Sequence, residues 1–357
     1  MPASGSFHVQ LQDRDIALLT GLFESRLMTL AQAAAIHFNG GTEAAKKRIQ
    51  KLKAAGYLAE RPRRAYDPSI LFLTRKSFTV LADGGYLDDY PPLIWTDLEK
   101  RARVSELTLK HELAVMDFKA AMYTAVAKSP TLRVAEFSTW PLLYEFHASP
   151  NDGRTSMVVR PDGYIRIHET ESDGSVSEHT FFLEIDRSTE VLDTLVTRSA
   201  CYRDYYRRGG LAARHGRPHT EFEQFPFRVL IVVRNTERRN NLCERLLSVR
   251  PQILSQVWLS TFPEATAEPQ DSIWVTPLGY REATAGTQFE KLRNHDLSTY
   301  RRQEMRETFI EAKVQKCSLF VEWVPTPMHH SVAERLNPQI VSSNGGKDDR
   351  PHIDAKI

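Results

Sequence analysis

Between residues 157 and 187 the chain alternates apolar with polar residues at a period of two, and this constrains its fold more than any other feature. Two runs carry the alternation, residues 157–167 and 180–187. Both are rich in β-branched and aromatic side chains, and Ser172-Asp173-Gly174-Ser175 between them has the composition of a turn. The expected result is a β-hairpin. On its second strand the period puts Leu183 and Ile185 on one face and Glu184 and Asp186 on the other, the two acids roughly 7 Å apart along the strand. If the first run pairs with it, Asp162 comes alongside and three carboxylates gather at one end of a sheet. Such a set of hard oxygens suits Mg²⁺ or Mn²⁺, and without a cation it repels itself. The plainer reading is that Asp162 caps a Pro-Asp-Gly turn while Glu184 and Asp186 form the solvated face of an edge strand.

The pair Pro161-Asp162 followed by a strand bearing Glu184 resembles the core motif of the PD-(D/E)XK nuclease superfamily. The flanks read in that superfamily's order: an amphipathic helix over 104–128, a strand over 132–137, the acids, a helix over 189–207 and an apolar strand over 227–233. Where the resemblance expects a lysine, two residues after the glutamate, the chain has Asp186, which cannot do a cation's work. Two arginines are candidates for a displaced cation. Arg187 is adjacent but points to the opposite face of a regular strand, and Arg198 lies in the next helix. Arginine can stabilise a phosphorane-like charge, but it does not deprotonate to serve as a base.

With 357 residues, 41% hydrophobic and 26% charged, the chain has material for two cores and is not a disordered sequence. Its cysteines, Cys201, Cys243 and Cys317, lack metal-ligand spacing, so zinc is not implied and a reducing cytoplasm is expected. The N-terminus shows no leader-like apolar stretch, and no apolar run approaches the roughly 20 residues that span a bilayer. A membrane role is not expected.

Upstream of the hairpin the period becomes helical. Residues 1–10 read as a flexible arm. A helix over 12–26 carries Ile16, Leu19 and Phe23 at helical spacing, and a second runs from a Thr29 cap through residue 38. Asn39-Gly40-Gly41 turns the chain, and Thr42 caps a third helix over 43–55 that Gly56 closes. Short strands over 57–59 and 70–73 flank Arg61-Pro62-Arg63-Arg64-Ala65-Tyr66-Asp67-Pro68. Over residues 11–87 this set resembles a winged helix-turn-helix, with that loop as its wing.

Charge sharpens the reading, because ten Lys or Arg between residues 46 and 76 face only Glu60 and Asp67, a net +8. That is a polyanion's partner. On the third helix Ala45, Ile49 and Leu52 form the buried stripe. Thr42, Lys46, Lys47, Gln50, Lys51 and Lys53, with Arg61, Arg63 and Arg64 on the wing, are then the candidate contacts to double-stranded DNA. The alternative is a basic face that is merely solvated.

A linker over 88–100 and a second domain over 101–285 are expected next. The helix that opens this domain holds His111-Glu112-Leu113-Ala114-Val115-Met116-Asp117-Phe118. With Phe182-Leu183-Glu184-Ile185-Asp186-Arg187-Ser188-Thr189-Glu190, it resembles the replication-relaxation family of plasmids and integrative elements. The resemblance implies an α/β protein, α+β overall: a winged helix-turn-helix followed by a restriction-endonuclease-like mixed sheet flanked by helices. It also implies a DNA-handling role in plasmid replication, DNA relaxation or mobilisation, with a relaxase or replication protein as a partner. His111 and Glu112 are candidates for a further site group and a metal ligand, although a histidine on a helix surface also serves structure alone.

Three functions compete. The preferred one is a DNA-binding accessory protein whose nuclease-like domain is degenerate. The others are a metal-dependent endonuclease in which Asp162 and Glu184 hold Mg²⁺, and a repressor that homodimerises through its second domain. Toward the C-terminus we expect a helix over 236–247, a strand over 272–276, a helical extension over 286–335 with a basic helix at 288–313, and a disordered tail from 336.

Overall fold

Helical periodicity in the first part of the chain resolves into four helices around a small sheet. The computed structural model describes residues 9–139, 143–150, 155–188, 190–284 and 316–320, all within one compact unit, Met1–Val321. Helix α1 (Asp13–Ser25) buries Leu18, Leu19, Leu22 and Phe23. Strand β1 (Met28–Thr29) leads into α2 (Leu30–His37), which opens with a reciprocal cap: Thr29 Oγ1 accepts from the Gln32 amide at 3.2 Å, and Gln32 Oε1 from the Thr29 amide at 2.8 Å. Helix α3 (Thr42–Ala54) buries Ala45, Ile49 and Leu52. Its cap is Gly41, not Thr42, because Thr42 is already the first helical residue and its hydroxyl sits 3.5 Å from Gly40 O. Gly56 ends the helix at φ +77°, a left-handed conformation that lets the Tyr57 amide reach Leu52 O.

Strands β2 (Leu58–Glu60) and β3 (Ile70–Leu73) pair antiparallel, and β1 adds to β3 to give the order β1-β3-β2. Helix α4 (Arg75–Asp83) follows. The stretch expected to be linker carries α5 (Trp95–Ala102), and the core of the N-terminal helices takes in Leu98 from it and Met116 from α6 (Glu106–Ala127). Helix α6 is buried on two sides. Toward α2 it accepts the Gln32 amide group on Leu113 O at 3.1 Å and on Asp117 Oδ1 at 2.7 Å, and it packs Leu109 on Leu27 and Ile70. Toward the larger sheet it packs Phe118, Met122 and Val126.

After α6 the chain runs through β4 (Leu132–Ser138), β5 (Phe146–Ala148), β6 (Met157–Val159), β7 (Gly163–Thr170) and β8 (Val176–Asp186). Helices α7 (Leu192–Arg207) and α8 (Gly210–Arg214) precede β9 (Arg228–Val233), α9 (Thr236–Ser248), β10 (Val257–Thr261), α10 (Phe262–Ala267) and α11 (Pro277–Thr284). Five strands form a mixed sheet in the order β10-β9-β8-β7-β4, parallel from β10 to β8 and antiparallel from β8 to β4. Its two faces follow from the pleat. Tyr164, Phe182, Val229 and Ile231 pack under α7 and α9, while Ile165, Phe181, Leu183, Ile185 and Leu230 pack under α6.

Besides the Thr42 cap and the linker, the sequence reading departs from this fold at three further places. Residues 157–167 do not form one strand: Pro161 has no amide hydrogen to give a ladder, and 157–159 pair instead with β5 in a separate two-stranded ribbon. Strand β10 was not expected, and 272–276 contributes only bridges, Leu259 with Val275 and Trp274 with Cys317. Residues 316–320, within the expected helical extension, are not helical, because Cys317 pairs with Trp274 through backbone bonds and Leu319 is fully buried. The rest of that extension, the basic helix at 288–313, the tail and residues 1–8 of the arm lie outside the described residues. Among the described residues no helix is long and apolar enough to cross a membrane.

Candidate functional site

Strand β8 is the central strand of the sheet, so its acid face is not solvated. Glu184 is 1% exposed and Asp186 5%. Both lie on the α7 and α9 face, opposite Leu183 and Ile185, as the period of two requires. Asp162 stands just before β7, where its amide donates to Leu183 O at 2.9 Å and its Oδ2 accepts the Ile185 amide at 2.7 Å. Its carboxylate therefore reaches across to β8 beside Glu184, which a simple turn cap would not do. His111, from α6, lies with Nε2 2.9 Å from Asp162 Oδ1.

The remaining expected residues scatter or find partners of their own. Arg198, two turns into α7, donates to Glu184 Oε2 at 2.9 Å and to Glu190 Oε1 at 3.3 Å. Glu112 does not join the acids: successive helix residues point about 100° apart, and Glu112 Oε1 is 3.3 Å from Arg26 Nη1. Arg187 makes no hydrogen bond or ion pair among the described residues. Asp186 is held by Arg238, whose Nε and Nη2 donate to its two oxygens, and by the Ser188 amide at 2.9 Å.

Sequence reasoning missed two of these partners. One is Arg238, in the first turn of α9. Because β8 and β9 are parallel, with Asp186 opposite Val233, the loop leaving β9 must deliver α9 to the acid end of β8. The other is Tyr202, fully buried, whose hydroxyl donates to Glu184 Oε1 at 2.6 Å. The signal for it was the spacing of Arg198 and Tyr202, four residues apart on one helix face.

Burial and neighbouring charge set the electrostatics. Removal from water, with the charge of Asp162 adding to it, pushes Glu184 up to about 7 against the opposing pull of Arg198 and Tyr202. Burial works against a charge on His111, but the bond to Asp162 and the charges of Asp162, Glu112 and Glu184 outweigh it and raise its pKa above the ordinary value. These are the carboxylates from which the sequence suggested a Mg²⁺ or Mn²⁺ cage. Each buried oxygen pair is already taken by guanidinium, phenol, imidazole or amide donors. Among the described residues no group of three or more His, Cys, Asp or Glu is disposed to hold a metal ion.

The basic segment divides by partner. Arg48 is spent on Asp15, which is fully buried, its Nε donating to Oδ1 at 2.9 Å. Lys53 pairs with Glu60, Arg63 donates to Glu60 Oε1 at 2.6 Å and to Asp67 O at 3.0 Å, and Arg61 turns to Val104 O and Glu106. Lys76 donates to Ala55 O and lies over the Tyr57 ring. By contrast, Lys46, Lys47, Gln50 and Lys51 are exposed along one side of α3 and make no side-chain bond among the described residues, and Arg64 is exposed on the loop with Tyr66 beside it.

No curated protein and no solved structure matches the chain. A family model described as replication-relaxation does match, from residue 19 to residue 218, taking in the second half of α1, the basic helix, α6, Asp162, β7, β8 and α7. This is more than half of the sequence, and it spans both motifs on which the resemblance was read: the chain belongs to the replication-relaxation family.

Proposed function

We propose that this protein binds double-stranded DNA of a plasmid or mobile element during its replication, relaxation or mobilisation, and that its sheet domain is a nuclease-like platform that does not cleave. The observation that carries the binding half is the exposed row of Lys46, Lys47, Gln50 and Lys51 on α3. Four polar side chains along one side of a helix, three of them cations without an acidic partner among the described residues, suit a major groove and its flanking phosphates. The small sheet β1-β3-β2 and the loop carrying Arg64 and Tyr66 support a winged-helix mode of docking.

The platform half rests on the acid site. Asp162 and Glu184 stand side by side as in a nuclease, but Arg198, Arg238, His111 and Tyr202 take up the charge and lone pairs of the acids. A relaxase or replication protein that does the covalent chemistry is the partner class this reading calls for.

Lys47→Ala with Lys51→Ala is expected to weaken duplex binding by about 1 kcal/mol or more and to flatten the salt dependence of affinity. Fluorescence anisotropy over a salt series measures both, and an unchanged affinity would move the DNA surface elsewhere. Supercoiled DNA incubated with the protein and Mn²⁺ should stay as intact as in EDTA. Mn²⁺-dependent nicking that disappears in Glu184→Gln would replace the platform with an endonuclease.

A further inference from the structure

We propose that the concave surface at the C-terminal end of α7 is a second phosphate-binding site, which takes the phosphodiester backbone of DNA. The proposal rests on the DNA-binding reading above and deepens it, by giving the sheet domain its own contact to the same ligand. The depression has a volume of about 330 Å³ and is lined by Arg203, Arg207 and Arg208 from α7 and its cap, with Asp204 between them and Ser149 and Pro150 opposite. Arg203 and Arg207 are one helical turn apart and so share a face.

The acid in this lining is already committed. Asp204 Oδ2 accepts the Ser149 amide at 2.8 Å, and Oδ1 accepts Arg208 Nε at 2.9 Å. It fixes the wall, and the described lining sets three arginines beside this one aspartate. Arg203 is held at the rim by a bond from Nη1 to Pro251 O. Arg207 is exposed and makes no hydrogen bond or ion pair among the described residues. Guanidinium groups lining a small, polar concavity suit phosphate oxygens, which they can bind in bidentate fashion, whereas an apolar ligand would find little to bury.

The plain alternative is that these arginines complement the negative end of the α7 dipole. One cation serves that purpose, and a dipole calls for neither three nor a hollow. The location also matters. Helix α7 supplies Arg198 and Tyr202 to the acid site, and Arg207 lies about 13 Å further along the same axis at 1.5 Å per residue. A strand anchored there lies against the helix that walls the acid site.

The test uses the full chain and a short labelled duplex, followed by anisotropy at several NaCl concentrations. Arg207→Ala with Arg208→Ala should weaken binding about 5-fold or more at low salt, for unrelated sequences alike. It should also reduce the slope of log affinity against log salt by about 1 to 2, as for one or two lost phosphate contacts. Arg207→Ala alone touches no described partner, so it reads the site even if loss of the Arg208 bond disturbs the fold, and Arg207→Lys should recover part of the slope. If both Arg207 variants bind with wild-type affinity and slope while Lys47→Ala with Lys51→Ala is weakened, this site is wrong and the α3 reading stands. Weakening by the arginine variants alone would keep this site and remove α3. A wild type without duplex affinity overturns both.

Discussion

Glu184 is the residue whose chemistry departs most from its surroundings. Its folded pKa of about 7 lies above the ordinary value of 4.5, so its contribution to stability is complete below about pH 4.5 and is lost as pH rises through 7. Glu184→Gln keeps one acceptor oxygen for Arg198, and the Tyr202 hydroxyl can turn to accept from the new amide nitrogen, while the titration is removed. Its stability should therefore gain on the wild type by about 2 kcal/mol between pH 5 and pH 8, read from urea midpoints at each pH. A difference independent of pH would mean that Glu184 is ionised throughout. Asp162 and Glu184 were legible because the Pro-Asp pair and the period of two act within a few residues. Tyr202 and Arg238 were not, since they reach the acids from 18 and 52 residues away and their approach depends on how α7 and α9 cross the sheet.

At the scale of elements, the sequence announces whatever has a local signal long enough to repeat. The Thr29 cap, the Gly56 stop, the buried stripe of α3 and the hairpin of β7 and β8 were all of this kind. Strand β1 has two residues, too few to show a period, and β10 is recognisable only through its pairing with β9. Arg48 misled in a different way: it adds to the net charge of the basic segment without being one of its candidate DNA contacts, and it is the bolt between α3 and α1. Asp15 is buried, which opposes its charge, but the bond and charge of Arg48 lower its pKa. The pair therefore stabilises the fold at neutral pH and is lost as pH falls through that lowered value. Asp15→Asn should cost on the order of 3 kcal/mol at pH 7 and less in acid, and it should weaken DNA binding without touching a DNA-facing residue. Chemical denaturation and anisotropy on one sample would measure both. Full stability in the variant would show that α3 is held by its apolar stripe alone.

For the whole molecule, the relevant fact is that two cores share one helix. Met116 and Leu109 of α6 complete the packing of the N-terminal helices, while Phe118, Met122 and Val126 cover the larger sheet and His111 reaches Asp162. Heating should therefore give a single calorimetric transition whose van't Hoff and calorimetric enthalpies agree. Two transitions, one of them retained by a fragment of residues 1–100, would show that the sharing carries little energy. The division into a DNA-reading head and a sheet body looked simple in the sequence because linker-like composition at residues 88–94 says nothing about which neighbours α6 will find. Viewed as material for recombination, α6 is the helix a crossover cannot respect. A chimera joined before it gives the head a foreign partner for Met116, and one joined after it leaves the sheet with a foreign cover and Asp162 without its histidine. A functional exchange of heads would therefore require a compatible copy of this helix as well.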